Sequence, residues 1–182
     1  MLRAILVGST AATVMLVIAA VFFCDQGDVA AIDREARKQY DLGKPEEALA
    51  TLEAGLKRFP DSPKLNYGLG TLLAARGNLK EGQRRLEYAV SVSPETPEYH
   101  KELGICYLQA DRPTDAEREL KTVLKLNDKW PEAHFYLGLV YERQGKSDLA
   151  MEEYVKEVNV NSCCTFAWAK IFEADKSRTE KE

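Results

Sequence analysis

The chain has 182 residues, enough for one domain with a real core or for a short repeat array. Its formal charge of −4 and pI near 5.4 exclude a protein whose main work is gripping nucleic acid. Charged residues make up 30% and occur in both signs after residue 24, and no proline- or glycine-rich linker or low-complexity tract interrupts them.

The first element is apolar. Ala4 to Phe23 carries no charge, and only Ser9, Thr10 and Thr13 are polar. About twenty residues rising 1.5 Å each match the roughly 30 Å hydrocarbon core of a bilayer, so a membrane-inserted helix is expected. A cleaved signal peptide would have a shorter apolar run and a small-x-small exit. Here the exit is Val21-Phe22-Phe23, with cuts after Ala20 or Ala31 as the alternatives. A lipidated Cys24 would follow a small residue, and Phe23 is bulky. Residues 1–28 are therefore expected to be a membrane anchor or signal segment. Arg3 ahead of the run and Arg34, Arg37 and Lys38 behind it nearly balance the positive-inside rule. A leading tail this short ordinarily stays in the cytoplasm, which places the following domain on the extracytoplasmic, periplasmic side, either tethered or as a cleaved secreted form.

From residue 29 the chain repeats itself every 34 residues. "REARKQYDLGKPEEA" (34–48), "GLGTLLAARGNLKEG" (68–82), "ELGICYLQADRPTDA" (102–116) and "YLGLVYERQGKSDLA" (136–150) align without a gap, giving copies at 29–62, 63–96, 97–130 and 131–164. Each copy reads as two helices joined by a turn. Ala36, Gly70, Gly104 and Gly138 share one slot in the first helices, and Ala48, Gly82, Ala116 and Ala150 share one in the second. Small side chains there allow helix axes to approach near the lower end of about 8–10 Å. Glycine inside a helix costs about 1 kcal/mol relative to alanine, so three in one slot imply a packing demand that outweighs propensity.

Gly43, Gly77, Asp111 and Gly145 fall at the turns, where left-handed backbone angles are wanted. Pro45 and Pro113 are expected to open second helices, and Pro63, Pro97 and Pro131 to open first helices, where a missing N–H costs nothing. Leu69, Leu103 and Leu137, with Leu73, Tyr107 and Tyr141 four residues on, form one buried stripe, and Leu52, Leu86, Leu120 and Tyr154 form the facing one. Gly145-Lys146-Ser147 is thus an inter-helix turn. A phosphate loop would need glycine at position 140, which is Val140. The first copy is the least faithful, with Ile32, Glu35 and Gln39 where later copies carry larger apolar residues. Residues 165–182 read as a capping helix with a polar tail, Trp168, Ile171 and Phe172 supplying its apolar face.

A period of 34 with these slots is similar to the tetratricopeptide repeat family, and the resemblance covers about three-quarters of the chain. It implies an all-α, right-handed superhelical stack of four helix-turn-helix repeats, and a concave groove, lined by first helices, that binds a peptide or partner helix. Carried onto this chain, the family's groove positions are Asp33, Arg37 and Tyr40 from the first copy, and Lys64, Tyr67 and Thr71 from the second. The third supplies Lys101, Ile105 and Leu108, and the fourth Phe135, Leu139, Glu142 and Arg143. Tyr67, Ile105, Leu108, Phe135 and Leu139 would form an apolar strip fringed by charge, the kind of surface that marks an interaction site. Family members that clamp the C-terminal carboxylate of cytosolic chaperones use lysines, asparagines and an arginine where this chain has Asp33, Arg37, Gly68, Glu98 and Glu102, so that clamp is not expected.

His100 and His134 occupy equivalent places in adjacent copies and are expected to be packing residues, too far apart to share a metal. Cys106 reads as a small buried filler. Cys163-Cys164, in the loop before the capping helix, leaves a redox-responsive role as one alternative, and self-association into a scaffold as another. No nucleophile–base–orienter set is present, and acidic pairs such as Glu46-Glu47 and Glu152-Glu153 are expected on exposed second-helix starts, where they suit the helix dipole. The expected function is a non-catalytic, membrane-tethered adaptor or assembly factor that uses no cofactor or metal and binds a protein partner.

Overall fold

A computed structural model of the protein describes residues 27–179. Those residues form nine α-helices and no strand. The expected anchor, residues 4–23, lies outside the described residues. No described helix is long and apolar enough to cross a membrane. Helix α1 spans residues 27–41; α2 is Pro45–Arg58 and α3 Pro63–Ala75. They are followed by α4 (Leu79–Val92), α5 (Pro97–Gln109), α6 (Pro113–Leu126), α7 (Ala133–Arg143), α8 (Ser147–Val160) and α9 (Thr165–Thr179). Two compact units divide the chain between Gly68 and Leu69, within α3.

In the first unit α1 and α2 close over Ala36, Ala48, Leu52 and Leu56, with Leu65 from α3 fully buried. The less regular first helix is accommodated by its partners. Ile32 lies so close to Gly55 that a Cβ there would come within 2.8 Å of its Cγ2. Gln39, standing in an apolar place, accepts a hydrogen bond from the Thr51 hydroxyl at 2.8 Å.

In the second unit each helix from α4 to α9 packs on its chain neighbours, and α5 also touches α7 directly. The small slots work as the repeat pattern demands. Built on Gly82, a Cβ would meet the Gly70 carbonyl oxygen at 2.9 Å; on Gly104 it would meet Leu120 Cγ at the same distance. Leu69, Leu86, Leu103, Leu120, Leu137, Tyr107, Tyr141 and Tyr154, from the facing stripes read from the sequence, are all buried, whereas Leu73, expected with them, is half-buried. Gly43, Gly77, Asp111 and Gly145 all take positive φ at their turns, Asp111 at 56°.

Proline opens α2, α3, α5 and α6 as expected, but Pro131 does not open α7, which begins at Ala133. The cause lies in α8. At the register where earlier repeats place Gly55, Ala89 and Val123, the fourth has Glu157, completely buried. Its Oε1 accepts the Glu132 N–H at 3.0 Å, and Glu132 is held left-handed with φ 65°. A buried carboxylate needs donors, and it takes one from the backbone that proline would otherwise have led into the helix.

The capping helix also departs from expectation. It packs through Ala167, fully buried, and Ile171, half-buried, whereas Trp168 is 51% and Phe172 72% exposed. Phe172 occupies the slot that is glycine in three earlier repeats, so it projects where a second helix would otherwise lie, and no described helix covers it.

Candidate protein-binding surface

The groove positions carried over from the sequence fall into both compact units. In the first, Asp33 is 4% exposed and does not present itself to a ligand. Its Oδ2 holds Arg37 Nε at 3.1 Å and Lys64 Nζ at 3.2 Å. The two cations are thereby positioned by one buried carboxylate, which a low-dielectric setting makes a firm anchor. Tyr40 is 49% exposed and Tyr67 half-buried.

In the second unit Thr71, Lys101, Ile105, Leu108, Phe135 and Leu139 are each half-buried. The Thr71 hydroxyl is enclosed without a hydrogen-bond partner among the described residues. Lys101 pairs with Glu132 at 3.2 Å and lies 3.7 Å from Glu102, whose carboxyl burial pushes up. Phe135 packs in a small aromatic cluster, with ring centroids 5.9 Å from both Tyr154 and Phe166 and 5.4 Å from Tyr136. Glu142 binds Lys170 of α9 at 3.1 Å, and Arg143 reaches Asp111 at 3.4 Å. The apolar positions are therefore half-covered rather than open. The aromatic rings most exposed in this unit, Phe166, Trp168 and Phe172, belong to α9 and were not in the sequence-derived set. Their aromatic character was visible; their orientation was not, because α9 packs through Ala167 and Ile171 instead.

The histidines are more than packing residues. His100, 6% exposed, has Nδ1 2.8 Å from Glu119 Oε2 and Nε2 2.8 Å from the Pro94 carbonyl oxygen. Two oxygen acceptors face the two ring nitrogens, an arrangement satisfied only by the doubly protonated imidazolium. The Glu119 hydrogen bond outweighs burial and holds His100 above its ordinary value of 6.5. For Glu119, burial works upward, but hydrogen bonds from His100 and Arg118 prevail and keep it below 4.5. One repeat later His134 Nδ1 lies 2.6 Å from Glu153 Oε2. In the second repeat the same register holds Asn66, whose Nδ2 donates to the Pro60 carbonyl at 3.2 Å, 34 residues before its counterpart Pro94. Histidine followed nineteen residues later by glutamate, twice at an interval of 34, was the signal in the sequence that would have revealed these pairs. Cys106 is buried as expected, Cys163 is exposed and Cys164 buried, and all three are free thiols.

A tetratricopeptide repeat family model matches residues 39–101 and, in an overlapping second match, 73–138, and another model of the same description matches 132–156. None of the curated proteins compared matches significantly. Among solved structures the chain is similar to MamA, with 24% identity and a TM-score of 0.69 over 79% of this chain and 84% of that one. It is also similar to a thermophilic tetratricopeptide repeat protein of Thermus thermophilus, with 21% identity and a TM-score of 0.71 over 82% of each chain. MamA from Desulfovibrio magneticus aligns at 18% identity and a TM-score of 0.66, over 82% of this chain and 96% of that one. At these identities the likeness is one of fold.

Proposed function

We propose that this chain, which belongs to the tetratricopeptide repeat family, is a non-catalytic interaction module, tethered to a membrane through residues 4–23, that binds a peptide or helix of a partner protein as an adaptor or assembly factor. The observation that carries the reading is the row of half-buried apolar side chains on the first helices α5 and α7: Ile105, Leu108, Phe135 and Leu139. Half-covered apolar positions flanked by paired charges, such as Lys101–Glu132 and Glu142–Lys170, offer contact area without a large exposed patch. The uncharged run of residues 4–23 supports the tether.

Crosslinking in the native membrane followed by identification of the captured chain tests the reading. Tyr67→Glu combined with Phe135→Glu is expected to abolish capture while helical circular dichroism is retained. Capture at the wild-type level by a folded double variant would refute the groove.

A second reading is favoured by α9. Phe166, Trp168 and Phe172 leave much of their surface exposed on a single helix, an arrangement suited to pairing with another copy. In detergent, light scattering of the full chain should show a concentration-dependent dimer that Trp168→Glu with Phe172→Glu converts to monomer. A dimer unaffected by that pair removes α9 from the interface.

A further inference from the structure

Helix α9 follows the register of the first helices, yet the side that takes up a second helix in earlier repeats is open. In the third repeat that side carries His100 and Gly104, which lie against Glu119 and Leu120 of α6. One period on from His134 and Gly138, the same places hold Trp168 and Phe172, both exposed. Trp168 keeps the bond of its register: its Nε1 donates to the Ser162 carbonyl at 3.1 Å, as His100 does to Pro94 and Asn66 to Pro60. The indole is thereby held in place as a fixed wall.

Thr165, Trp168, Ala169 and Phe172 are all exposed. Spacings of three, four and seven put them on one face of the helix, away from the fully buried Ala167. Four residues so spaced outline the hole that a facing helix fills with one large side chain. This hole has a small floor, Ala169, and the same face supplies a large knob, Phe172. Because Phe172 stands where three earlier repeats have glycine, close approach requires a small residue on the incoming helix. The α9 of a second copy brings one.

We propose that two copies pair through α9, antiparallel about a twofold axis midway between Ala169 and Phe172, with each Phe172 seated on the other copy's Ala169. In that register Trp168 lies about one residue, or about 1.5 Å along the axis, from the other copy's Phe172, ring beside ring. Lys176 lies equally close to the other copy's Phe166, a cation over an exposed aromatic face. Glu173 and Asp175, both exposed, fall towards the edges of the pair and stay in water. A twofold makes every one of these contacts twice. Knob, hole and the cation for the remaining ring all occur on one helix, which is why the occupant is a second copy rather than an unrelated chain. The inference rests on the second reading above, pairing through α9, and adds its direction and register.

The test measures the dimer dissociation constant of the full chain in detergent by analytical ultracentrifugation. Trp168 emission, read in a Trp130→Phe background, should shift to the blue as the dimer forms. Ala169→Leu is the decisive variant. It adds apolar surface, so general stickiness would tighten the dimer, whereas filling the hole should weaken it about tenfold. Phe172→Ala, which removes the knob, should also weaken it about tenfold. Mixed in equal amounts, these two variants should pair about tenfold more tightly than either does alone, because each large residue then faces a small one. Lys176→Gln should weaken pairing about threefold. Parallel copies would set the two lysines side by side, and that change would tighten them. All four positions are exposed, so circular dichroism should stay that of the wild type in each variant. An Ala169→Leu dimer as tight as the wild type or tighter, a mixture no better than its components, or tightening by Lys176→Gln overturns the arrangement. Failure of the underlying reading looks different. No dimer, or one that ignores Trp168→Glu with Phe172→Glu and leaves Trp168 emission unmoved, removes α9 pairing altogether. A dimer that needs α9 yet tolerates Ala169→Leu removes this register alone.

Discussion

Replacing Gly138 by alanine is expected to destabilise the second compact unit by about 2–3 kcal/mol, whereas the same change at Gly104 should cost no more than about 1 kcal/mol. The two glycines occupy one register in consecutive repeats, and what faces them differs. A Cβ on Gly138 would lie 2.7 Å from Cδ1 and 2.9 Å from Cζ of Tyr154, with Cε1 nearer still. That ring is rigid and 1% exposed, so neither group can step aside without moving a helix. On Gly104 the Cβ would meet Leu120 Cγ at 2.9 Å and Cδ2 at 3.3 Å. A branched aliphatic chain adjusts by a small torsion. Alanine's better helix propensity, worth about 1 kcal/mol, then offsets most of the remaining cost. The chain's two tryptophans, Trp130 and Trp168, both lie in the second unit, so urea unfolding followed by their fluorescence reads the effect there. Tyr154→Leu should rescue Gly138→Ala, since alanine and leucine already hold these two registers in the first repeat, as Ala36 and Leu52. Equal losses at the two glycines, or no rescue, would show that ring contact is not what fixes this slot.

The stability of the same unit should peak in mildly acid solution and fall as the pH is raised. His100 has a folded value raised above 6.5, so its contribution is fully present below 6.5 and is lost as pH climbs through the raised value. Glu119 is depressed below 4.5, so its contribution is present above 4.5 and is lost as pH drops through the lowered value. The two together are complete between about 4.5 and 6.5. His100→Asn is the informative variant, because asparagine at this register in the second repeat already donates to the matching proline carbonyl. It should keep the bond to the Pro94 oxygen, lose the ion pair and flatten the alkaline side of the profile. Removing one partner of a buried pair costs about 3–5 kcal/mol when the other stays charged. Glu119→Leu should therefore be most damaging at acid pH, where His100 cannot shed its proton, and milder above neutrality. Thermal melts of the variants between about pH 5 and 9 decide the matter, and an alkaline slope that survives in His100→Asn would assign it elsewhere.

The architecture was legible because it is written several times over. Small residues at one register and left-handed turn residues at another recur at a fixed interval, and each copy corroborates the rest. What escaped the pattern is what occurs once. Glu157 looked like one more polar residue of an amphipathic helix, and nothing local announced that it would be fully buried and bend the start of α7. Asp33, placed on the groove by analogy of position, turned out to be enclosed because Arg37 and Lys64 both close on it, a fact of three-dimensional proximity rather than of spacing. The outward direction of Trp168 and Phe172 depended on Ala167 giving α9 a flatter side for packing. The histidine–glutamate pairs were in principle readable, since they too repeat, but they require comparing positions across two helices rather than within one.

The link from Glu157 to the backbone of Glu132 has a consequence for how the fourth repeat comes apart. A helix end ordinarily loosens one residue at a time, independently of its neighbours. Here the amide that leads into α7 is fastened to a side chain in the last turn of α8, 25 residues downstream. Fraying at the close of one helix therefore releases the beginning of the other, and the two termini open and shut in concert as a single latch.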